Sequence, residues 1–197
     1  MRINDFDNNG QTETVLAYYK ADGNDYLLHS KQELTTQMPE LRKKLLKYAD
    51  YAGKTVEQVF DATQLKGAQI KKAYQLQNCM AVNDGKGNFS IKPLPLRAQF
   101  SPIYAFLAED LDGDNKLDLL CGGNFFGAIP EIGRYDASYT TFLKGDGKGG
   151  FTFLPNTKTG ITTGGEIREI VQVTMGKKPV LLFVKNNEPL EIYRQNF

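Results

Sequence analysis

The chain has 197 residues, 41% of them apolar and 24% charged, and its 24 Lys and Arg against 23 Asp and Glu leave a formal charge of +1. That length supports one well-buried core or two small ones, and no apolar run approaches the roughly 20 residues with which a helix spans a bilayer. A near-zero charge without a dense basic block excludes a surface that tracks a phosphate backbone by counterion release, so no nucleic-acid partner is expected.

At the amino end, Met1-Arg-Ile-Asn4 runs straight into an acidic loop, without the apolar stretch of a signal peptide. Asp5, Asp7, Asn9 and Glu13 stand at positions one, three, five and nine of this loop, with Gly10 at the turn and Gln11 at position seven. The strand leading into it is shorter than the one leading into a second such loop further on. We therefore expect the chain to begin inside a structural unit and to be a piece of something longer.

Residues 31–75 differ in character and are expected to form a helical insertion. Leu41, Leu45, Leu46 and Ala49 fall at helical spacing within Met38–Tyr51, with Pro39 suited to a first turn. Thr55 and Gln58 have the spacing of a capping box for a second short helix, and Gln64 to Lys72 are expected to form a third. Arg42-Lys43-Lys44 reads as a solvated helix face. The simplest role of the segment is to cover an end or side of the sheets; the alternative is a partner-binding surface.

The remainder reads as strands and turns. Asn83-Asp-Gly-Lys-Gly-Asn-Phe89 and Gly145-Asp-Gly-Lys-Gly-Gly-Phe151 are near-copies 62 residues apart, each a Gly-rich turn of the Asp-Gly kind between strands. Between them lies the most informative stretch, Asp110-Leu-Asp-Gly-Asp-Asn-Lys-Leu-Asp118. Four carboxylates at positions one, three, five and nine match the needs of calcium, a hard cation taking six to eight oxygens at about 2.3 to 2.6 Å. Asp110, Asp112 and Asp114 alternate inward, Gly113 and Asn115 tolerate the sharp turn, Lys116 offers its carbonyl, and Asp118 closes the cage. Without a cation four such charges repel.

An EF-hand would need a glutamate at position twelve and flanking helices. Position twelve is Leu16 in one loop and Cys121 in the other, and the flanks Ile103-Tyr-Ala-Phe-Leu107 and Leu117 to Leu120 have strand length. The offset of 62 carries the second loop onto Gln172, Thr174, Gly176 and Val180, so a third unit should keep its strands without the cage. Each unit reads as a strand, an acidic loop, a second strand and a hairpin. The expected fold is thus mainly β, a partial β-propeller of two to three four-stranded antiparallel blades with a helical insertion, forming a single domain over 1–197. Propellers usually need about four to eight blades, so the rest of a longer chain or a second copy would complete the ring. Cys79 and Cys121 are too few for a disulfide framework and sit in apolar segments of different sheets, so both are expected to be buried free thiols.

The Asp-x-Asp-x-Asp-x-x-x-Asp loop, the following strand and Gly122-Gly-Asn-Phe-Phe-Gly-Ala-Ile-Pro130 together resemble the FG-GAP or VCBS repeat of integrin-α-type propellers. Gly133-Arg-Tyr-Asp-Ala-Ser138, Ala98-Gln-Phe-Ser-Pro102 and the helical insertion extend the resemblance to the carboxy-terminal portion of large secreted bacterial proteins of the cartilage-acidic-protein kind. The resemblance implies calcium in the loops, an extracellular or cell-surface setting, and adhesion, binding or assembly instead of chemistry. It makes Asp110, Asp112, Asp114, Lys116 and Asp118 ligands, with Asp5, Asp7, Asn9, Gln11 and Glu13 as the first-loop set, where Asn9 and Glu13 depart from the usual aspartates.

No catalytic constellation stands out. Carboxylates gathered on one cation are held ionised, which leaves none to donate a proton in glycoside hydrolysis. The single histidine, His29, has no nucleophile near it in sequence and is expected at a strand end. Arg134, Tyr135 and Asp136 form a secondary ligand-binding candidate in a loop between strands, the alternative being that Arg134 and Asp136 pair to pin that loop. The expected partner is a protein or glycan, and the alternative function is a polysaccharide-recognition module accessory to a larger secreted enzyme.

Overall fold

The computed structural model describes residues 1–130 and 132–194. Among these residues strands outweigh helices, and the strands form several small antiparallel sheets, none of them closed. The chain divides into two units, Met1–Gln75 and Leu76–Phe197.

In the first unit β1 (Arg2–Asn4) and β2 (Glu13–Val15) pair across the first acidic loop, Asn4 opposite Glu13, and β3 (Ala17–Tyr19) and β4 (Asp25–Leu27) make a separate hairpin. Four short helices follow, α1 (Lys31–Gln37), α2 (Leu41–Lys44), α3 (Val56–Val59) and α4 (Ala62–Leu65), before β5 (Gln69–Ile70) returns to the free edge of β1. Phe6, Val15 and Leu27 from the strand side pack with Leu34, Met38, Leu41, Leu45, Val56, Val59 and Phe60 from the helical side in one cluster. The helical segment therefore covers the strands and supplies most of the apolar surface of this core, at about 1.5 to 3 kcal/mol per large side chain buried.

Two helix expectations need correction. Residues 38–51 do not make one helix: α2 stops at Leu45, whose φ of −110° and ψ of 68° leave the helical region, and a separate 3-10 turn spans Tyr48–Asp50. Turning the chain at Leu45 buries that side chain and leaves Leu46 74% exposed. The helix expected over 64–72 also fails beyond Leu65, where α4 ends. Asp61 caps α4, accepting from the N–H groups of Thr63 at 2.9 Å and Gln64 at 3.0 Å, and the chain then extends into β5 because β1 presents an unpaired edge. The start of α3 is as expected, the Gln58 side chain accepting the Thr55 N–H at 3.0 Å. His29 lies just beyond the end of β4, and its Nε2 accepts the Leu16 N–H at 3.1 Å.

In the second unit β6 (Cys79–Asn83) and β7 (Phe89–Pro93) form a two-stranded hairpin. Next come β8 (Ile103–Glu109), β9 (Asp118–Gly123), β10 (Thr141–Gly145) and β11 (Phe151–Leu154), which lie side by side in chain order as one four-stranded antiparallel sheet. The second acidic loop joins β8 to β9. One turn of helix, α5 (Asn156–Thr159), leads to the three-stranded sheet of β12 (Ile167–Met175), β13 (Lys178–Lys185) and β14 (Glu191–Arg194). Ile167, Ile170, Leu181 and Phe183 of that sheet share a buried cluster with Ala105, Leu120 and Phe142 of the four-stranded one.

The two Asp-Gly hairpins close alike: Asp84 N–H donates to Asn88 O and Asp146 N–H to Gly150 O, both at 3.0 Å. Where the offset of 62 carries the acidic loop onto 172–180, β12 and β13 instead stay paired until Met175 faces Lys178, leaving a two-residue turn.

The cysteines sit in different sheets and are free, but only Cys121 is buried; Cys79, on the two-stranded hairpin, is exposed. A two-stranded ribbon has no second layer over each strand, so its alternating positions do not all find cover. Burial pushes the Cys121 thiol up to about 12, so it stays protonated and unreactive at neutral pH. This predicts that a thiol reagent modifies one cysteine per native chain quickly and the other only on unfolding. Cys79→Ser should abolish the fast phase; a fast phase surviving in that variant would overturn the assignment.

Candidate metal centre

Each acidic loop is built by the same set of backbone-to-carboxylate hydrogen bonds. In the first, Asp5 accepts the N–H of Asn9 at 3.0 Å and of Gly10 at 2.9 Å, Asp7 that of Asn9 at 3.2 Å, and the Asn9 side chain that of Gln11 at 2.7 Å. In the second, Asp110 accepts from Asp114 at 3.1 Å and Asn115 at 2.8 Å, Asp112 from Asp114 at 3.3 Å, and Asp114 from Lys116 at 3.0 Å. These are the same four contacts, position for position. Left-handed residues also fall at matching places, Asn8 and Gly10 in one loop and Gly113 and Asn115 in the other, so glycine and asparagine exchange roles at the two turns.

The closing carboxylate is the buried one. Glu13 Oε2 accepts the Phe6 N–H at 2.8 Å, and Asp118 Oδ2 accepts the Leu111 N–H at 3.1 Å. The side chains of Phe6 and Leu111 are themselves in the cores of their units, 0% and 2% exposed, so one residue anchors the loop by its side chain and orients the closing carboxylate by its backbone. In the second loop Asp118 Oδ1 also accepts the Gly145 N–H of β10 at 2.9 Å. A Cβ at position 145 would lie 1.9 Å from the Leu117 carbonyl oxygen, so only glycine allows β10 to come this close.

One oxygen from each of Asp5, Asp7 and Glu13, and likewise one from each of Asp110, Asp112 and Asp118, lie within 4.8 Å of one another. Both clusters could hold a metal ion. The donors are carboxylate oxygens throughout, with no His or Cys in either group, which suits a hard cation over a soft one. Asn9 lies in the turn of the first loop with its side-chain oxygen on Gln11 N–H. Asp114 stands outside the converging trio of the second.

Asp114 is drawn instead to ammonium groups. Lys144 of β10 places its Nζ in close contact with Asp112 Oδ2 and 2.9 Å from Asp114 Oδ2, and Lys116 Nζ lies 3.3 Å from the same Asp114 oxygen. The hydrogen bonds to Asp112 and Asp114 push the Lys144 pKa up, and the bond from Lys144 holds the Asp114 carboxyl below its usual range. A cation from within the chain already sits among these carboxylates. The first loop differs: among the described residues, Asp5, Asp7 and Glu13 form no salt bridge. The spacing rule misses Lys144 because the residue lies 26 positions beyond Asp118. Its one visible signal is a lone cation in a strand that is otherwise Thr-Phe-Leu and Gly.

The secondary candidate is differently arranged. Arg134 lies over the Phe126 ring at 4.9 Å, and Tyr135 pairs by its backbone with Phe125, N to O distances 2.9 and 2.8 Å. Arg134 and Asp136 form no salt bridge with each other, so the pairing weighed for this loop is not what holds it. Asn124 does the holding: its side chain bonds Ser138 O at 2.8 Å, Ser138 N–H at 3.1 Å and Gly165 O at 3.0 Å. Tyr104, Tyr135 and Tyr139 are 45 to 61% exposed.

Comparison with protein-family models, with curated proteins and with solved structures returned no match to this chain.

The buried position of the closing carboxylate yields a prediction that needs no metal. In chelator, Asp118→Ala leaves the Leu111 and Gly145 N–H groups without an acceptor in a dry environment and should cost about 2 kcal/mol or more in urea unfolding. Asp110→Ala, whose partners face water, should cost less than about 1 kcal/mol. Equal losses would show that the closing carboxylate is not the anchor.

Proposed function

We propose that the chain is a calcium-stabilised binding or assembly module that works outside the cell and carries no reaction of its own. The observation that carries this reading is the repetition of one hydrogen-bonded loop, with converging carboxylates, in two separate units of the chain. Calcium is the ion of choice because oxygen donors on a flexible loop tolerate its irregular coordination, while magnesium demands near-ideal octahedral geometry and keeps its waters. Asp110, Asp112 and Asp118, with Asp114 and the Lys116 carbonyl, would hold one ion; Asp5, Asp7 and Glu13, with Asn9 and the Gln11 carbonyl, would hold the other. The bound ion cancels the mutual repulsion of the carboxylates and stiffens each strand connection. Such exposed loops suit the weak affinities of extracellular modules, about 10⁻⁴ to 10⁻³ M, which fill where calcium is abundant.

The same reading treats 1–197 as a single propeller-like domain of FG-GAP or VCBS type, with 31–75 inserted. Its support is the sheet of β8 to β11, which has the order strand, acidic loop, strand, hairpin within one four-stranded antiparallel layer, and the three-stranded sheet that shares its core. The partner would be a protein or glycan. A polysaccharide-recognition role is favoured by the exposed Tyr104, Tyr135 and Tyr139 and by the guanidinium groups of Arg134 over Phe126 and Arg168 over Tyr104, since flat aromatic faces and a planar cation suit sugar rings.

Calcium at about 10 mM should raise the melting temperature by several degrees, because a ligand bound only to the folded state adds about 1.4 kcal/mol at about 10 times its Kd and about 2.7 kcal/mol at about 100 times. Magnesium at the same concentration should do less. Asp112→Ala should remove the second loop's share and Asp7→Ala the first's; a melting curve indifferent to calcium would refute the reading. A glycan array run with and without chelator tests the polysaccharide role, which requires sugar binding that Arg134→Ala weakens.

A further inference from the structure

The two loops share a backbone design but differ in charge: where the first has Asn9 and Gln11 the second has Asp114 and Lys116, and Lys144 reaches the second from β10. We infer that Lys144 is a built-in counter-cation of the second acidic loop, so that a divalent ion enters that loop only by displacing it and binds there more weakly than in the first loop. This rests on the calcium reading above and concerns how that site is regulated.

The argument is geometric. Asp112 and Asp114 are two of the five proposed ligands of the second loop, and both already carry the Lys144 ammonium. The backbone of Lys144 cannot retreat, because the next residue, Gly145, is tied by its N–H to Asp118 and Lys144 itself is paired with Thr152 of β11. Only the side chain can move. It is 35% exposed, so its four-carbon stem can swing the ammonium to water when another cation arrives. An ion bound to Asp112 and Asp114 with the ammonium still in place would bring two like charges within a few ångströms, which is unfavourable even under solvent screening. The remaining cation at this loop, Lys116, contacts Asp114 alone and is 44% exposed, so it is the more easily displaced.

The first loop offers no such competitor, since among the described residues none of its carboxylates is ion-paired. The consequences differ between the units. Without calcium the second loop remains partly neutralised and keeps its shape, while the first must bear three uncompensated carboxylates. Calcium should therefore fill the chain in two steps, the first loop ahead of the second.

The test uses the full chain and calcium chloride alone, titrated calorimetrically into wild type, Lys144→Met and Lys144→Arg. Met keeps the packing of the stem without the charge, and Arg keeps the charge. The weaker of the two wild-type steps should tighten roughly ten-fold in Lys144→Met, the scale expected on removing a partly exposed charge at close range, and stay weak in Lys144→Arg. The same step should vanish in Asp112→Ala and survive in Asp7→Ala, which assigns it to the second loop. In chelator Lys144→Met should melt below wild type, and saturating calcium should close the gap. Two calcium steps with affinities unchanged in Lys144→Met would overturn the inference and leave the calcium reading intact, and so would a melting deficit that calcium does not narrow. Absence of any calcium binding by wild type and by Lys144→Met would bring down the calcium reading itself. Lys144→Gln, which loses the charge but keeps a donor, repeats the comparison through an independent side chain.

Discussion

A buried carboxylate at the ninth position of each loop, held by the backbone N–H of the second position, is the constraint on which the rest of the structure depends. Glu13 reaches Phe6 and Asp118 reaches Leu111, and in both cases the residue that donates also plants its side chain in the core. The contact ties a polar loop to an apolar interior at one point. A charged group at that depth is tolerable only because it is hydrogen-bonded, and once so bonded it is costly to lose. Everything exposed in the loop is then positioned by reference to this anchor: the first carboxylate gathers two N–H groups in the first loop and three in the second, the third and fifth positions one each, and the side chains are left converging.

Convergence of like charges is unfavourable unless something positive is shared among them, and the two units meet that requirement differently. In the second, the four-stranded sheet brings β10 against the loop, with Gly145 permitting the approach and Lys144 delivering an ammonium. In the first, β1 and β2 are only three residues long, the neighbouring β5 contributes two residues, and no strand carries a lysine to the loop. The same local chemistry thus acquires a different electrostatic character from its tertiary surroundings.

What could be read from the sequence follows this division between local and distant causes. The acidic loops and the two Asp-Gly hairpins are set by contacts within five to nine residues, and their geometry agrees with the spacing of their residues. The chain order of β8 to β11 also follows from short connections between neighbouring strands. The helical segment was legible as a region and at the Thr55 start of α3, but not in its other boundaries. Ser30 and Glu33 have capping-box spacing and do cap α1, the longest helix, with the Glu33 carboxylate accepting the Ser30 N–H at 2.7 Å. The stop at Leu45 and the strand at Gln69–Ile70 arise from a core and a sheet edge supplied by residues some 15 to 70 positions away in sequence, which periodicity does not register. Lys144 belongs to the same class: nothing at positions 110–118 announces an ammonium arriving from the next strand but one.

The β12–β13 connection shows what the acidic loops add. Those strands turn in two residues, with pairing continuous to Met175 and Lys178, so the topology of a strand pair in this fold does not require a long connection. Ordering each further loop residue costs about 1 to 2 kcal/mol of backbone entropy, and the eight residues from Asp110 to Leu117 between β8 and β9 contribute little apolar burial beyond Leu111 to offset it. Intraloop hydrogen bonds largely replace bonds to water and recover about 1 kcal/mol apiece at best. A loop of this length, repeated with the same contacts in a second unit, is therefore sustained by more than its own hydrogen bonding, and the strongest additional term open to converging carboxylates is a cation. In the second loop Lys144 supplies part of that term from within the chain. Among the described residues none is ion-paired with the carboxylates of the first loop, and on the proposed reading an ion from solution would supply that term there.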